Sequence, residues 1–382
     1  MSAMKRWQFW LGVVISLFFM YLALRGLHLQ TLARAMKNAN YLWLIPGVGV
    51  YLIAVWARAW RWHYLLRPVK SIPTRRMFPV VAIGYMGNNI YPARIGEVLR
   101  AVILKEKEDV PVSASLATII VERVFDGVVM LAFVFLNLPE LARLTSNSGF
   151  IGDIRTLAIV GAVVFLGVLL LFLLAAMYPN RVEKLVHRVV ERFIPQVYTP
   201  PDLKSAFRRR MLVWKKPLSK DQALPSEPAV EQDGAAADPI YLQEKVLGVA
   251  MRFLSGLESL SSPREALMVF LSSVVIWLLE TGKYWFVMHA FPFQVSFFTL
   301  MLMNGIVNLA TTIPSAPGYI GTFDAPGIAV LQAYGIEKTL AAAYTLVLHA
   351  ALWLPITLLG AYYLLREGIK VSEKLDQVKA QA

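Results

Sequence analysis

Charged side chains recur in this chain at positions where the surrounding sequence is apolar. Arg94, Glu97 and Arg100 are spaced i,i+3 twice, so a helix would bring all three to one face. A guanidinium presents a planar fork of donors that suits a phosphate, and a helix start adds free backbone N–H groups. The same spacing also suits an internal ion pair. Glu122 and Asp126 are i,i+4, and Arg123 is i,i+3 to Asp126. This carboxylate pair would bind a proton or cation, or pair with Arg94 or Arg100; a purely structural salt bridge is the equal alternative. Glu280 and Lys283 are i,i+3 and read as a structural pair. Asp324 follows a Pro/Gly break, with Pro326 in the next turn, and reads as a helix N-cap. His349 stands alone and reads as a packing residue. Arg58 and Arg61, near the end of an apolar stretch, are expected to snorkel to headgroups.

Composition says what surrounds these groups. The 382 residues are 57% hydrophobic and 16% charged, against roughly 25% charged in soluble domains. An ordinary soluble enzyme, a disordered tail protein and a fibrous repeat are thereby excluded. An unpaired charge inside a bilayer costs about 2.5–3.5 kcal/mol or more, so the charges above must face protein or water. Lys and Arg total 38 and Asp and Glu 25, a net charge of +13. In a membrane protein such an excess gathers in cytoplasmic loops; without interleaved exposed aromatics on a soluble domain it implies no nucleic acid. There is no cysteine, so disulfides, Cys-ligated zinc and a thiol nucleophile are excluded. The histidines (28, 63, 187, 289 and 349) are scattered, and no metal or cofactor is expected. No phosphate loop, H-E-x-x-H or G-x-S-x-G motif occurs.

A bilayer crossing needs about 20 apolar residues. Six segments meet that need: 7–24, 41–66, 112–138, 154–178, 264–290 and 339–365. Two others, 77–104 and 297–334, are each apolar but broken. The first break carries Pro92 and Gly96, the second Pro317, Gly318 and Gly321. Irregular backbone at membrane depth survives only against protein or water, so both read as re-entrant helical hairpins. The expected fold is an all-α integral membrane protein of about six spans and two hairpins. Residues 90–96 faintly match 313–321, and the two hairpins open to opposite sides, an inverted-repeat arrangement. The N-terminal membrane half is 1–178 and the C-terminal half 263–365. Between them, 179–262 reads as a cytoplasmic loop. It holds an amphipathic helix (180–194), a basic stretch (207–220) and a disordered linker (222–239). A charged tail, 366–382, follows. Both termini are expected in the cytoplasm, and the protein in the inner or plasma membrane.

The segment Gly84-Tyr85-Met86-Gly87-Asn88-Asn89-Ile90-Tyr91-Pro92-Ala93-Arg94-Ile95-Gly96-Glu97 and the block Glu122-Arg123-Val124-Phe125-Asp126 resemble the lysylphosphatidylglycerol synthase transmembrane-region family. Pro317-Gly318-Tyr319-Ile320-Gly321-Thr322-Phe323-Asp324 and the stretch from Gly335 to His349 resemble its C-terminal half. The resemblance covers nearly the whole chain outside 179–262. It implies a flippase-like membrane protein that moves a phospholipid between leaflets. The family's synthase activity belongs to a soluble domain after the membrane part. Only 17 residues (382 − 365) follow the last expected span here, so that activity is not implied.

The expected function is therefore lipid flipping of an anionic or phosphate-bearing lipid. Arg94 and Arg100 would contact the headgroup, and Glu97, Glu122 and Asp126 would balance charge or couple to a proton. Two other classes stay open. One is a membrane-embedded lipid- or polyprenyl-modifying enzyme using Glu97 or Asp324. The other is a scaffold that docks a glycosyltransferase or synthase through 179–262. The expected partners are membrane lipids, with a lipid-modifying enzyme as a further candidate.

Overall fold

A computed structural model describes residues 3–91, 94–144, 262–313 and 315–369, with scattered residues between 159 and 188 and between 248 and 260. Pro92, the basic stretch 207–220, the linker 222–239 and most of the tail lie outside the described residues, as do most residues of 180–194. The regular structure among the described residues is helical throughout. The order is α1 (Ala3–Leu24), α2 (Leu29–Lys37), α3 (Leu44–Leu66), α4 (Thr74–Ile90), α5 (Ile95–Glu108) and α6 (Val112–Leu144). It continues with α7 (Pro263–Met288), α8 (Phe297–Ala310), α9 (Asp324–Ala333) and α10 (Lys338–Arg366).

Among the described residues, three helices are long and apolar enough to cross a bilayer: Tyr41–Leu66, Pro263–Met288 and Lys338–Arg366. The pair α1 and α2, bent by 84° at its break, would form a fourth. Helix α6 has 33 residues but carries Glu122, Arg123 and Asp126. Large apolar side chains stay exposed along these helices, among them Ile45, Ile53, Leu271, Val275, Leu358 and Leu365. On a soluble protein such a belt would be an aggregation surface; it suits contact with lipid. The chain is a multi-pass α-helical membrane protein.

Packing is closest between α3 and α7, α4 and α10, and α4 and α5. One core cluster lies among α3, α4, α5 and α6, around Trp62, Leu65, Met77, Ile83 and Leu99. A second lies among α7, α8, α9 and α10, around Tyr284, Leu302, Leu331 and Tyr344. The site sits where these two meet.

Candidate functional site

The two breaks expected from the sequence lie against each other. Helix α4 ends at Ile90, and α5 begins after Arg94, whose backbone is left-handed (φ 53°). Arg94 therefore precedes the helix, and the i,i+3 spacing does not set it on one face with Arg100. Gly96 lets the two arms touch: a Cβ there would lie against the Gly84 carbonyl oxygen and 2.6 Å from the Asn88 nitrogen. The second break runs from Ala310 to Asp324 through a short 3-10 turn, Pro317–Tyr319. Gly318 has φ 74°, and a Cβ on it would meet the Trp353 Nε1 at 2.8 Å. Contacts join the breaks directly. Arg94 donates to the Thr311 carbonyl at 3.1 Å, and its guanidinium lies 5.8 Å from the Tyr319 ring centre. Asn89 donates to Thr357 Oγ1 on α10 at 2.8 Å.

Behind the breaks lies a closed cluster of charge. Arg61 donates to Asp126 Oδ1 at 2.7 Å and Oδ2 at 3.2 Å, a bidentate pair. Its third contact is Ser273 Oγ at 2.6 Å, and Trp277 Nε1 adds a bond to Asp126 at 2.9 Å. Arg100 pairs with Glu122 and stacks 4.5 Å over the Trp62 ring. The side chains of Arg61, Glu122 and Asp126 are 0%, 1% and 1% exposed. Two cations face two carboxylates, so the cluster is neutral. Pairing of this kind is what allows such charges to be buried.

In front lies an open cavity of about 130 Å³. Its charged lining is Arg58, Arg94, Glu97, Arg123, Glu280 and Lys283. Arg58 and Lys283 both pair with Glu280. Arg94 and Arg123 both approach Glu97, at 3.9 and 3.8 Å. Arg123 also reaches back to Asp126 at 3.3 Å and so joins the cavity to the closed cluster. Four cations face two carboxylates, an excess of two positive charges. The Nε atoms of Arg58 and Arg123 are buried without a hydrogen-bond partner. Aromatic faces and amides complete the wall, including Tyr85, Trp353, Asn88 and Asn308. Such a wall offers charge-assisted hydrogen bonds and stacking to an anionic group. Among the described residues, no group of three His, Cys, Asp or Glu could hold a metal ion.

The structure thus divides the residues expected to act together. Arg94, Glu97 and Arg123 line the cavity; Arg100, Glu122 and Asp126 form the buried pairs behind it. Glu280 and Lys283 are an i,i+3 pair as expected, but they also face the cavity and share Arg58. Asp324 is not an ordinary N-cap. Its Oδ2 accepts from Gly321 N, back inside the break, at 2.9 Å, and its Oδ1 meets His349. His349 is satisfied at both ring nitrogens, by Asp324 and by the Gly318 carbonyl, and also lines the cavity. Arg58 and Arg61 do not snorkel: they are 5% and 0% exposed. Their partners lie on α7 and α6, where a carboxylate draws each guanidinium inward. A signal for Arg61 was in the sequence, because α6 carries two carboxylates, Glu122 and Asp126, beside a single neighbouring cation, Arg123; nothing comparable marked Arg58, since Glu280 already has Lys283 on its own helix.

Comparison with known proteins agrees with this architecture. The family model "Lysylphosphatidylglycerol synthase TM region" matches residues 9–360. The chain belongs to this family. A UPF0104 membrane protein of Methanothermobacter thermautotrophicus is 22% identical over 100% of this chain and 98% of its own length. One from Pyrococcus horikoshii is 22% identical over 94% of this chain and 96% of its own. The glycosyltransferase AglD of Haloferax volcanii is 25% identical over 83% of this chain, which matches 47% of AglD. No solved structure matches the chain.

Proposed function

We propose that the chain moves an anionic, phosphate-bearing lipid between membrane leaflets. One observation carries this reading: a cavity between the two breaks holds two more cations than carboxylates. Excess buried charge is costly in a bilayer unless a counter-charge arrives, and a lipid phosphate supplies it. Arg94 and Arg123 are the headgroup contacts nearest solvent, with 30% and 32% of their side chains exposed against 6% for Arg58. Arg58 and Lys283 complete the anion site, and Glu97 and Glu280 hold the cations in place. Arg100, Glu122 and Asp126 act as the frame. The apolar outer belt lets acyl chains stay in the bilayer while the headgroup crosses.

In the same reading the protein sits in the plasma membrane with both termini in the cytoplasm. It has six spans, and α4–α5 and α8–α9 are re-entrant hairpins of inverted repeats. The facing breaks support that arrangement, because irregular backbone inside a membrane needs protein or water around it. The reading excludes chemistry on the lipid. The test is mass spectrometry of lipid retained by the purified protein, then a leaflet-accessibility assay in liposomes. Retention of an anionic lipid and its unchanged passage across the bilayer are expected. Chemical turnover of the headgroup would overturn the reading.

One relative is named a glycosyltransferase, which favours a second reading in which the chain serves a lipid-modifying enzyme. Co-purification of such an enzyme, lost on deleting 179–262, would support it.

A further inference from the structure

His349 on α10 lies between two acceptors. Its Nδ1 is 2.9 Å from Asp324 Oδ1, and its Nε2 is 2.7 Å from the Gly318 carbonyl oxygen. A neutral imidazole has one N–H donor and one bare nitrogen. With an ionised Asp324, one of these contacts would set lone pair against lone pair. The geometry is satisfied by an imidazolium beside a carboxylate. It is equally satisfied by a carboxylic acid donating to Nδ1 while Nε2–H donates to Gly318. Both forms hold the same number of protons, one more than a carboxylate with a neutral ring.

The second break is held at two points, and only the first depends on this proton. The ring holds the Gly318 carbonyl, in the left-handed turn, and Asp324 Oδ2 holds the Gly321 N–H. Tyr319 lies between them and carries its ring to Arg94. Asp324 is 1% exposed, and the Phe323 ring covers the imidazole with centres 4.5 Å apart. On its other side His349 faces the cavity.

The charged and titratable groups around that cavity come from every neighbouring element. The break contributes Tyr319 and the first hairpin Tyr85, Arg94 and Glu97. Helix α3 contributes Tyr51 and Arg58, α6 Arg123, and α7 Glu280 and Lys283. Four cations less two carboxylates leave +2. Asp324 with a neutral ring lowers this to +1; with the extra proton bound it returns to +2. A headgroup with two negative charges is therefore matched only by the protonated site.

We propose that His349 and Asp324 form a proton-binding site that couples passage of a dianionic phosphate headgroup, a phosphomonoester, to uptake of one proton. The proposal rests on the transport reading and names its coupling ion. The step is a simple protonation: water-borne H⁺ adds to the ring or the carboxylate as the phosphate enters, and leaves as the phosphate departs. By linkage, binding of the headgroup favours the proton and the proton favours the headgroup equally. Loss of the proton removes a donor from Gly318 or from Asp324 and frees Tyr319 from Arg94.

The test uses the full chain in liposomes with a fluorescent short-chain phosphatidate and a trapped pH indicator. Lipid entry is expected to carry about one proton. The wild-type rate should fall about tenfold per pH unit once the site has lost its proton. His349→Gln and Asp324→Asn should lose the proton flux and this slope together. Nitrogen-15 NMR of labelled histidine, with the His349 signal assigned by its loss in His349→Gln, reads the site without transport. Addition of phosphatidate should increase proton occupancy there. Lipid that crosses with no proton movement, and with the same pH profile in wild type and His349→Gln, overturns the coupling and leaves the transport reading intact. If no lipid crosses at any pH, the transport reading falls and the coupling with it. A ring that stays singly protonated, beside an ionised Asp324, when phosphatidate is bound overturns the proton site itself.

Discussion

The closed cluster and the open cavity are built from the same residue types and are joined by Arg123, which lines the cavity, yet their charge balance differs. Arg61 and Arg100 are matched one for one by Asp126 and Glu122, and all four are sealed from solvent. In the cavity, Arg58, Arg94, Arg123 and Lys283 exceed Glu97 and Glu280 by two. A neutral sealed cluster can be swapped for apolar residues of similar size at little cost, whereas breaking one partner strands a charge. An unbalanced open cluster is poised for a ligand. Counting charge by cavity, rather than by helix, separates framework from site.

The largest expected effect comes from breaking the closed side. Arg61→Leu removes the bidentate partner of Asp126, leaving it Arg123 at 3.3 Å and the Trp277 indole, and should cost up to about 3–5 kcal/mol, read as a loss of thermal stability in detergent or of membrane expression. Retained stability would mean that water reaches Asp126 and that the cluster is not closed.

Removing a whole pair tests the same idea from the other side. Arg100→Leu with Glu122→Leu should restore much of the stability that either single substitution loses, ending near the wild type. It should also keep transport activity, because neither residue lines the cavity. An inactive but stable double mutant would move Arg100 into the headgroup site.

On the open side, Arg94→Ala should leave the unfolding temperature unchanged and weaken headgroup binding by about 1.5–3 kcal/mol, the worth of a charge-assisted hydrogen bond. Retained-lipid mass spectrometry and the liposome assay measure this. A misfolded Arg94→Ala would place this arginine with the framework.

The smallest effect belongs to a charge outside both clusters. Glu337 caps α10, accepting from the backbone N–H of Thr339 at 2.9 Å and of Leu340 at 3.0 Å. Burial raises its pKa, but the bonds from Thr339 and Leu340 together outweigh burial and hold it below the usual glutamate range. Its stabilisation is therefore full above the unfolded-state pKa and is lost as pH falls through the lowered folded value. Glu337→Ala should cost about 1 kcal/mol at neutral pH and nothing in acid, by thermal unfolding at both. Transport should not change.

Much of this molecule is written locally. Apolar runs such as 41–66 are long enough to span, and the breaks near Arg94 and Pro317 lie where Pro and Gly interrupt the runs. Glu280 and Lys283 meet because i,i+3 neighbours share a helix face. The excess of cations is a property of composition. What composition and spacing left open is which charge faces which. Arg61 meets Asp126 across 65 residues, and Arg58 meets Glu280 across 222. Arg94 reaches Thr311 across 217. Lone His349 becomes a bridge only because α9 and the second break fold beside it. Periodicity records how a residue sits on its own helix. The rotation and tilt that carry one helix's face to another's are set by packing of whole elements, and only the tertiary structure decides those.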